Sequence, residues 1–299
     1  MRSNRISLCH FGIIVWAVFL LGGGTQAQTV SPTPAPTPTP SSQPSLERDF
    51  FKNILRDQKA IWTSPAHVHG NDAPWLIMLG MTTGGFMATD RATGDDMATH
   101  TGQLDASRII SYAGSIYGVS AAAGSFYLIG RATHNQRARE TGILATEAII
   151  DSGIVVTALK EITQRARPLT GKDRSKFFVG GSSFPSGHSI EAWSVATVVA
   201  NEYHDQPAVQ IAAYGIASAV SVSRFTGLHH YLSDVLVGSA MGYGIGRYVY
   251  HAHHRRSSTS SGGDEEEDET FSRSKRLPAI APMYNRNAHD YGVALAWSF

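Results

Sequence analysis

The chain has 299 residues, with 25 Lys and Arg against 24 Asp and Glu and a formal net charge of +1. This balance lacks the basic excess that binding a phosphate backbone calls for, so no nucleic-acid partner is expected. The only cysteine, Cys9, excludes a disulfide framework and a cysteine-built zinc site.

Arg2 and Arg5 precede an apolar run from Phe11 to Leu21 and small residues ending at Thr25-Gln26-Ala27, the layout of a secretory signal peptide over residues 1–27. The expected location is therefore periplasmic or secreted. Retention of the run as a membrane anchor is the alternative, although the run is short for a spanning helix. Residues 28–45 alternate Pro with Thr or Ala and hold six of the 13 prolines, from Pro32 to Pro44. They read as a disordered, extended tether.

Residues 46–256 are the expected compact domain. Apolar spacing predicts helices at roughly 74–88, 109–130, 137–166, 188–204, 207–222 and 229–250, as in Ile190, Trp193, Ala196, Ala200 and Tyr203. No long stretch alternates with period two, so the domain is expected to be an all-α multi-helix bundle. Ile109–Gly130 is 22 uncharged residues, long enough to span a bilayer, but 11 of them are Gly, Ser or Tyr and the segment reads as a buried helix. Small residues at four-residue spacing, Gly238/Gly242/Gly246 and Ala192/Ala196/Ala200, let helix backbones approach closely in either a membrane or a tight soluble bundle. Charged or His residues interrupt most stretches before a bilayer length, which favours the soluble bundle. Residues 257–278, with the run Asp264–Glu269, read as an acidic low-complexity linker. In residues 279–299 a turn at Asn285–Asp290 separates two short segments. The second carries Tyr291, Val293, Leu295, Trp297 and Phe299 on one face, which predicts a β-hairpin.

Three segments carry chemistry. In Lys160-Glu-Ile-Thr-Gln-Arg-Ala-Arg167-Pro168 the seven-residue spacing is nearly two helical turns, so Lys160 and Arg167 are expected on one face, with Pro168 ending the helix. Alone, this segment reads better as a basic turn complementing a helix dipole. In Phe184-Pro185-Ser186-Gly187-His188-Ser189, Ser186 is a plausible N-cap, Gly187 admits a ligand to the backbone, and the free amides of a helix start bind anions. In Ser223-Arg224-Phe-Thr-Gly-Leu-His229-His230-Tyr-Leu-Ser-Asp234, one turn separates His230 from Asp234. The carboxylate is thus expected to accept a hydrogen bond from one ring nitrogen and hold the other forward as a nucleophile. His229, about 100° around the helix, is assigned to packing or the rim.

Taken together, these eleven positions resemble the signature of the type-2 phosphatidic acid phosphatase superfamily: Lys-x6-Arg-Pro, Pro-Ser-Gly-His and Ser-Arg-x5-His-x3-Asp. That superfamily includes bacterial non-specific acid phosphatases, membrane lipid phosphatases and vanadium-dependent haloperoxidases. The resemblance covers Lys160 to Asp234. It implies that His230 attacks phosphorus to form a phosphohistidine, that Asp234 orients and charges its ring, and that His188 protonates the leaving oxygen and then activates water. It also implies that Lys160, Arg167 and Arg224, with the amides near Ser186 and Gly187, hold the phosphate oxygens. On this reading no metal ion or cofactor is needed, and the substrate is a phosphorylated small molecule or a lipid phosphate, with membrane-surface association possible in the latter case.

Two alternatives follow from the same residues: a haloperoxidase holding vanadate on the distal histidine, and a non-catalytic module that binds anionic lipid. Phe177, Phe178, Phe184 and Phe225 suit either a lipid or a soluble substrate. Elsewhere, His251, His253 and His254 beside Arg255 and Arg256 read as a solvated basic end rather than metal ligands, and Glu140, Glu147 and Asp151 as ion-pair partners of neighbouring helices.

Overall fold

Helix-favouring apolar repeats, broken by turns and caps, divide residues 46–259 into eight α-helices. The computed structural model describes residues 46–259 apart from 69, 71, 100, 101, 172 and 173, and also 279–285 and 290–296. The expected signal (1–27), the tether (28–45) and residues 260–278 of the expected linker lie outside the described residues. The helices are α1 (Leu46–Thr63), α2 (Ala73–Ala98), α3 (Leu104–Ala113), α4 (Ile116–Ala132), α5 (Gln136–Thr163), α6 (Gly187–Glu202), α7 (Pro207–Thr226) and α8 (Leu232–Thr259). The all-α expectation holds for this unit, which runs to Ser261. A second unit, from Gly262 onward, contains an antiparallel ribbon of β1 (Ala279–Asn285) and β2 (Asp290–Ala296), with Ala279 opposite Ala296 and Asn285 opposite Asp290.

Several boundaries differ from the periodicity. The single helix expected over 109–130 is two, because Ser115 caps α4 by accepting from the Gly118 amide at 3.2 Å. The preceding Gly114 lies against Val220, where a Cβ would fall 2.1 Å from Cγ1. Helix α1 has no counterpart among the predicted helices, and α2 runs on to Ala98. Helix α5 ends at Thr163 rather than 166, since Gln164 turns left-handed (φ 45°) and donates its N–H to the Lys160 carbonyl at 2.9 Å. Helix α8 begins at Leu232 and continues to Thr259, so residues 257–259 are helical rather than linker.

The core lies between α5, α6 and α8, around Leu144, Ala145, Ala148, Val155, Ile190, Val198, Ile245 and Val249. The glycine stripe on α8 explains how closely these helices pack. A Cβ on Gly238, Gly242 or Gly246 would come within 2.7, 2.3 and 2.3 Å of the carbonyl oxygens of Ser186, Ile190 and Ser194 on the α6 side. Only hydrogen fits there. On another face of α6, Ala192 and Ala196 meet Ala217 and Val220 of α7. Among the described residues α5 alone is long and apolar enough to cross a bilayer, and 61% of its apolar window is buried inside the bundle.

Candidate active site

The three motifs converge where the C-terminal end of α5, the start of α6 and the α7–α8 turn meet. After the left-handed Gln164 the chain folds back on itself. The Phe178 amide donates to the Thr163 carbonyl (2.9 Å), Gly181 to Gln164 (3.0 Å) and Ser183 to Arg165 (2.9 Å). Arg167 therefore lies in this loop beyond the helix, and Lys160 and Arg167 do not share a helical face as the spacing suggested. The loop brings the two cations together instead: burial lowers the Lys160 amine from its usual range, and the charges of Arg167 and Arg224 lower it further. Lys160 Nζ would stand 3.3 Å from a Cβ placed on Gly187, so the missing side chain leaves room for the ammonium beside the α6 start.

His230 is 2% exposed, and its Nδ1 lies 2.6 Å from the Ser183 carbonyl oxygen. A carbonyl only accepts, so Nδ1 carries the proton and Nε2 keeps its lone pair. The Asp234 carboxylate is 3.8 Å from Nδ1, beyond hydrogen-bond reach, which corrects the expected direct His–Asp hydrogen bond. Asp234 is occupied otherwise: it accepts from the Ser183 hydroxyl (2.5 Å), the Tyr231 amide (2.9 Å) and Arg165 Nη1 (2.5 Å). It acts on His230 through Ser183, whose hydroxyl it holds while the same residue's carbonyl holds the ring. Burial pushes the His230 imidazole down to about 4, against the opposing pull of Asp234, so the ring is neutral near pH 7.

Around the ring stand His188, Lys160, Arg167 and Arg224. Burial, then the positive charges of Arg224, His230 and Lys160, pushes His188 down to about 3. Burial and the neighbouring Arg167 bring Arg224 to about 10, so it stays charged near neutral pH. The Nε atoms of Arg167 and Arg224 are buried without a hydrogen-bond partner. Buried donors in this state call for an acceptor, and two guanidiniums with an ammonium make a seat for an anion. Ser186 occupies the N-cap position of α6, but its side chain makes no cap hydrogen bond and accepts from Ser189 Oγ at 2.9 Å. Its amide is taken by the Asp234 carbonyl at 3.0 Å, so the anion-facing amides reduce to those at the helix start from Gly187 onward. Ser223 is structural: its hydroxyl shares a hydrogen bond with Ser111 of α3 at 3.0 Å, fixing the end of α7 that carries Arg224. The Arg224 carbonyl then accepts from the amides of both His229 and His230, at 3.1 and 3.2 Å. His229 lies exposed at the rim.

Sequence reasoning missed the layer beneath. Arg165, 1% exposed, binds Asp234 and Ser233 through Nη1 (2.5 and 2.7 Å) and Asp90 of α2 through Nη2 (2.8 Å). Its guanidinium lies 4.8 Å from the Phe177 ring centre and 4.7 Å from that of Tyr231. Asp90, fully buried, also accepts from the Ser233 amide at 3.3 Å and from the Ser233 hydroxyl. Arg165 is thus a positioning residue that locks α2, the motif loop and the start of α8 under His230. Glu191, one turn after His188 on α6, is a second unforeseen member: burial raises its carboxyl to about 7 while Lys160 opposes the rise.

Residues 141–258 match the family model of the PAP2 superfamily. Over 70 residues, 23% of this chain, the sequence is 39% identical to a lipid A 1-phosphatase of Porphyromonas gingivalis, and the match spans 16% of that relative's length. A transmembrane PAP2-type phosphatidylglycerolphosphate phosphatase from Bacillus subtilis aligns over 69% of this chain and 95% of its own, at 22% identity and a TM-score of 0.45. LpxE of Aquifex aeolicus aligns over 55% of this chain and 93% of its own, at 19% identity and a TM-score of 0.42. All eleven signature positions, Lys160 to Asp234, fall inside the segment that matches the PAP2-superfamily model.

Proposed function

We propose that the domain is an exported phosphatase that hydrolyses phosphate esters, lipid phosphates above all, through a phosphohistidine on His230 and without a metal ion. One observation carries this reading: a neutral imidazole, its Nδ1 proton held by the Ser183 carbonyl, faces three cations, two of which have unpartnered buried donors. In the first step His230 Nε2 forms a bond to phosphorus as the P–O ester bond breaks, and the departing oxygen takes a proton from His188. Water then gives a proton to His188 and attacks phosphorus. The P–N bond breaks, its electron pair returns to Nε2, and inorganic phosphate leaves. Lys160, Arg167 and Arg224 supply the positive charge that stabilises the equatorial oxygens.

A lipid substrate is supported by the rim. Leu169, Phe178 and Val179 of the motif loop are exposed, as is Ile162 at the end of α5. On α2, Trp75, Ile77, Met78 and Met81 are also exposed, on the helix that carries Asp90 under the site. Apolar side chains left open in this number mark a binding surface, and those of the motif loop, beside the phosphate site, suit acyl chains at a bilayer surface. The sequence likeness to a lipid A 1-phosphatase points the same way.

The test is a substrate panel of phosphatidic acid, a polyprenyl pyrophosphate, nucleotides and p-nitrophenyl phosphate, with detergent or vesicle dependence recorded. Lipid phosphates are expected to show kcat/KM at least about tenfold above the soluble esters, a difference of about 1.4 kcal/mol. Preference for soluble esters would overturn the lipid assignment. Strong bromide oxidation with vanadate and peroxide, alongside negligible ester hydrolysis, would replace the phosphatase reading by a haloperoxidase. The pH profile is a further check. His230 is competent only above about 4, where it loses its proton. Because His188 is neutral in the empty site, the proton it donates arrives with a monoanionic phosphate, which is lost above about pH 6. A bell-shaped kcat/KM between these limits is expected, and a profile that keeps rising through pH 8 would contradict it.

A further inference from the structure

A second cluster lies at the far ends of the helices that build the active site. His253 is 19 residues after Asp234 on α8, about 28 Å along the helix axis, and Glu147 is 13 residues before Lys160 on α5, about 20 Å. Asp57, Glu147 and Asp151 are 0% exposed and His253 is 1% exposed. His253 Nε2 is 2.7 Å from Asp57 Oδ2 and 4.0 Å from Glu147 Oε2. Ligating atoms of Asp57, Glu147 and His253 all lie within 4.8 Å of one another. His253 is therefore buried rather than part of a solvated basic end, and Glu147 faces it across helices at ion-pair distance, as the sequence suggested.

Three buried carboxylates meet only amide donors and one imidazole. Asn53 Nδ2 donates to Glu147 Oε1 (3.1 Å) and Gln58 Nε2 to Asp151 Oδ1 (2.8 Å). No Lys or Arg pairs with any of them among the described residues. Each residue also keeps a buried atom with no partner: Asp57 Oδ1, Glu147 Oε2, Asp151 Oδ2 and His253 Nδ1. Glu147 Oε2 is aimed at the imidazole and Asp57, where a further atom would satisfy all three. Two to three carboxylate oxygens with one imidazole nitrogen suit a divalent transition ion such as Zn2+ or Mn2+ better than the all-oxygen cages of Ca2+ or Mg2+.

We propose that Asp57, Glu147 and His253, with Asp151 beside them, form a structural site for one divalent transition-metal ion that clamps α1 to α5 and α8. The ion joins three elements distant in sequence and replaces shared protons as the charge balance of the core.

The experiment uses the full-length protein stripped with a chelator. Zn2+ or Mn2+ is titrated back by calorimetry, bound metal is counted by mass spectrometry, and Tm is recorded at each loading. One ion per chain and a Tm rise of several degrees are expected for the native sequence, and neither for His253→Ala or Glu147→Gln. Glu147→Gln also removes a buried acid, so its stripped form should melt at or above the stripped native protein, which shows that it folds. Phosphatase turnover of the stripped enzyme well below its Tm should be unchanged. The absence of stoichiometric binding and of a Tm response in the native protein would overturn the proposal, as would equal binding by Glu147→Gln and His253→Ala.

Discussion

Helices α5 and α8 run past each other with uncompensated charge at both ends of the pair, and the two ends have opposite sign. At one end Lys160, Arg167 and Arg224 surround His230 and His188, with Lys160, Arg167 and His188 partly exposed. At the other, Asp57, Glu147 and Asp151 close on His253 with almost no exposure. Burial first, and like charge after it, pushes the histidines of the cationic end well below the usual imidazole range and raises Glu147 and Asp151 of the anionic end to about 7. Unpaired donors on partly exposed cations suit a ligand that comes and goes. Charge left unpaired in a core suits an ion that stays. The two ends should therefore fail in different ways when altered.

The largest effect is expected at the cationic end. His230→Ala removes the proposed nucleophile, and kcat should fall on the order of 10^4-fold or more while the folding midpoint moves little. The matching substitution at the other end, Glu147→Gln, should leave turnover near the native rate and act on stability. A similar loss of turnover in both would mean that the ends are not separable.

A smaller effect is expected one layer below. Arg165→Lys keeps the charge but cannot span Asp90 and Asp234 with a planar fork. We expect kcat to fall on the order of 10- to 100-fold, about 1.4–2.7 kcal/mol, with KM nearly constant. An unchanged kcat would show that the Ser183 carbonyl holds His230 without this support.

The smallest effect on chemistry, felt equally at both ends, should come from the contact between them. Gly242→Val would put a Cβ 2.3 Å from the Ile190 carbonyl and wedge α8 away from α6. Overpacking of this kind costs about 2 kcal/mol, measurable as a lower denaturant midpoint, with catalysis by the folded fraction largely retained.

How much of this was legible in the sequence differs between the ends. The cationic end is written locally: eleven residues at fixed spacings carry the family resemblance that implies its roles, and the glycine stripe forecasts a close helix approach, found between α6 and α8. The support under His230 is not written there. Arg165 reaches Asp90 across 75 residues, and the atom that holds the His230 ring is the backbone carbonyl of Ser183, to which side-chain patterns are blind. The end of α5 was misplaced because a left-handed Gln164 carries no sequence signal as a glycine would. The anionic end was misread for a related reason. Without α1, which the periodicity did not reveal, His253 has no Asp57 to meet and resembles any histidine beside two arginines.

Direct capture of the intermediate is the most decisive measurement. The native enzyme and its His188→Ala and His230→Ala variants are mixed with p-nitrophenyl phosphate, quenched within milliseconds and mapped for base-stable, acid-labile phosphate. His188→Ala keeps the proposed nucleophile but loses the acid and the base, and because p-nitrophenolate departs without a proton it should release one equivalent in a burst and accumulate phosphate on His230, with none on His230→Ala. Steady turnover by His230→Ala, or native turnover with no phosphate trapped on His230 in either competent form, would contradict a phosphohistidine mechanism.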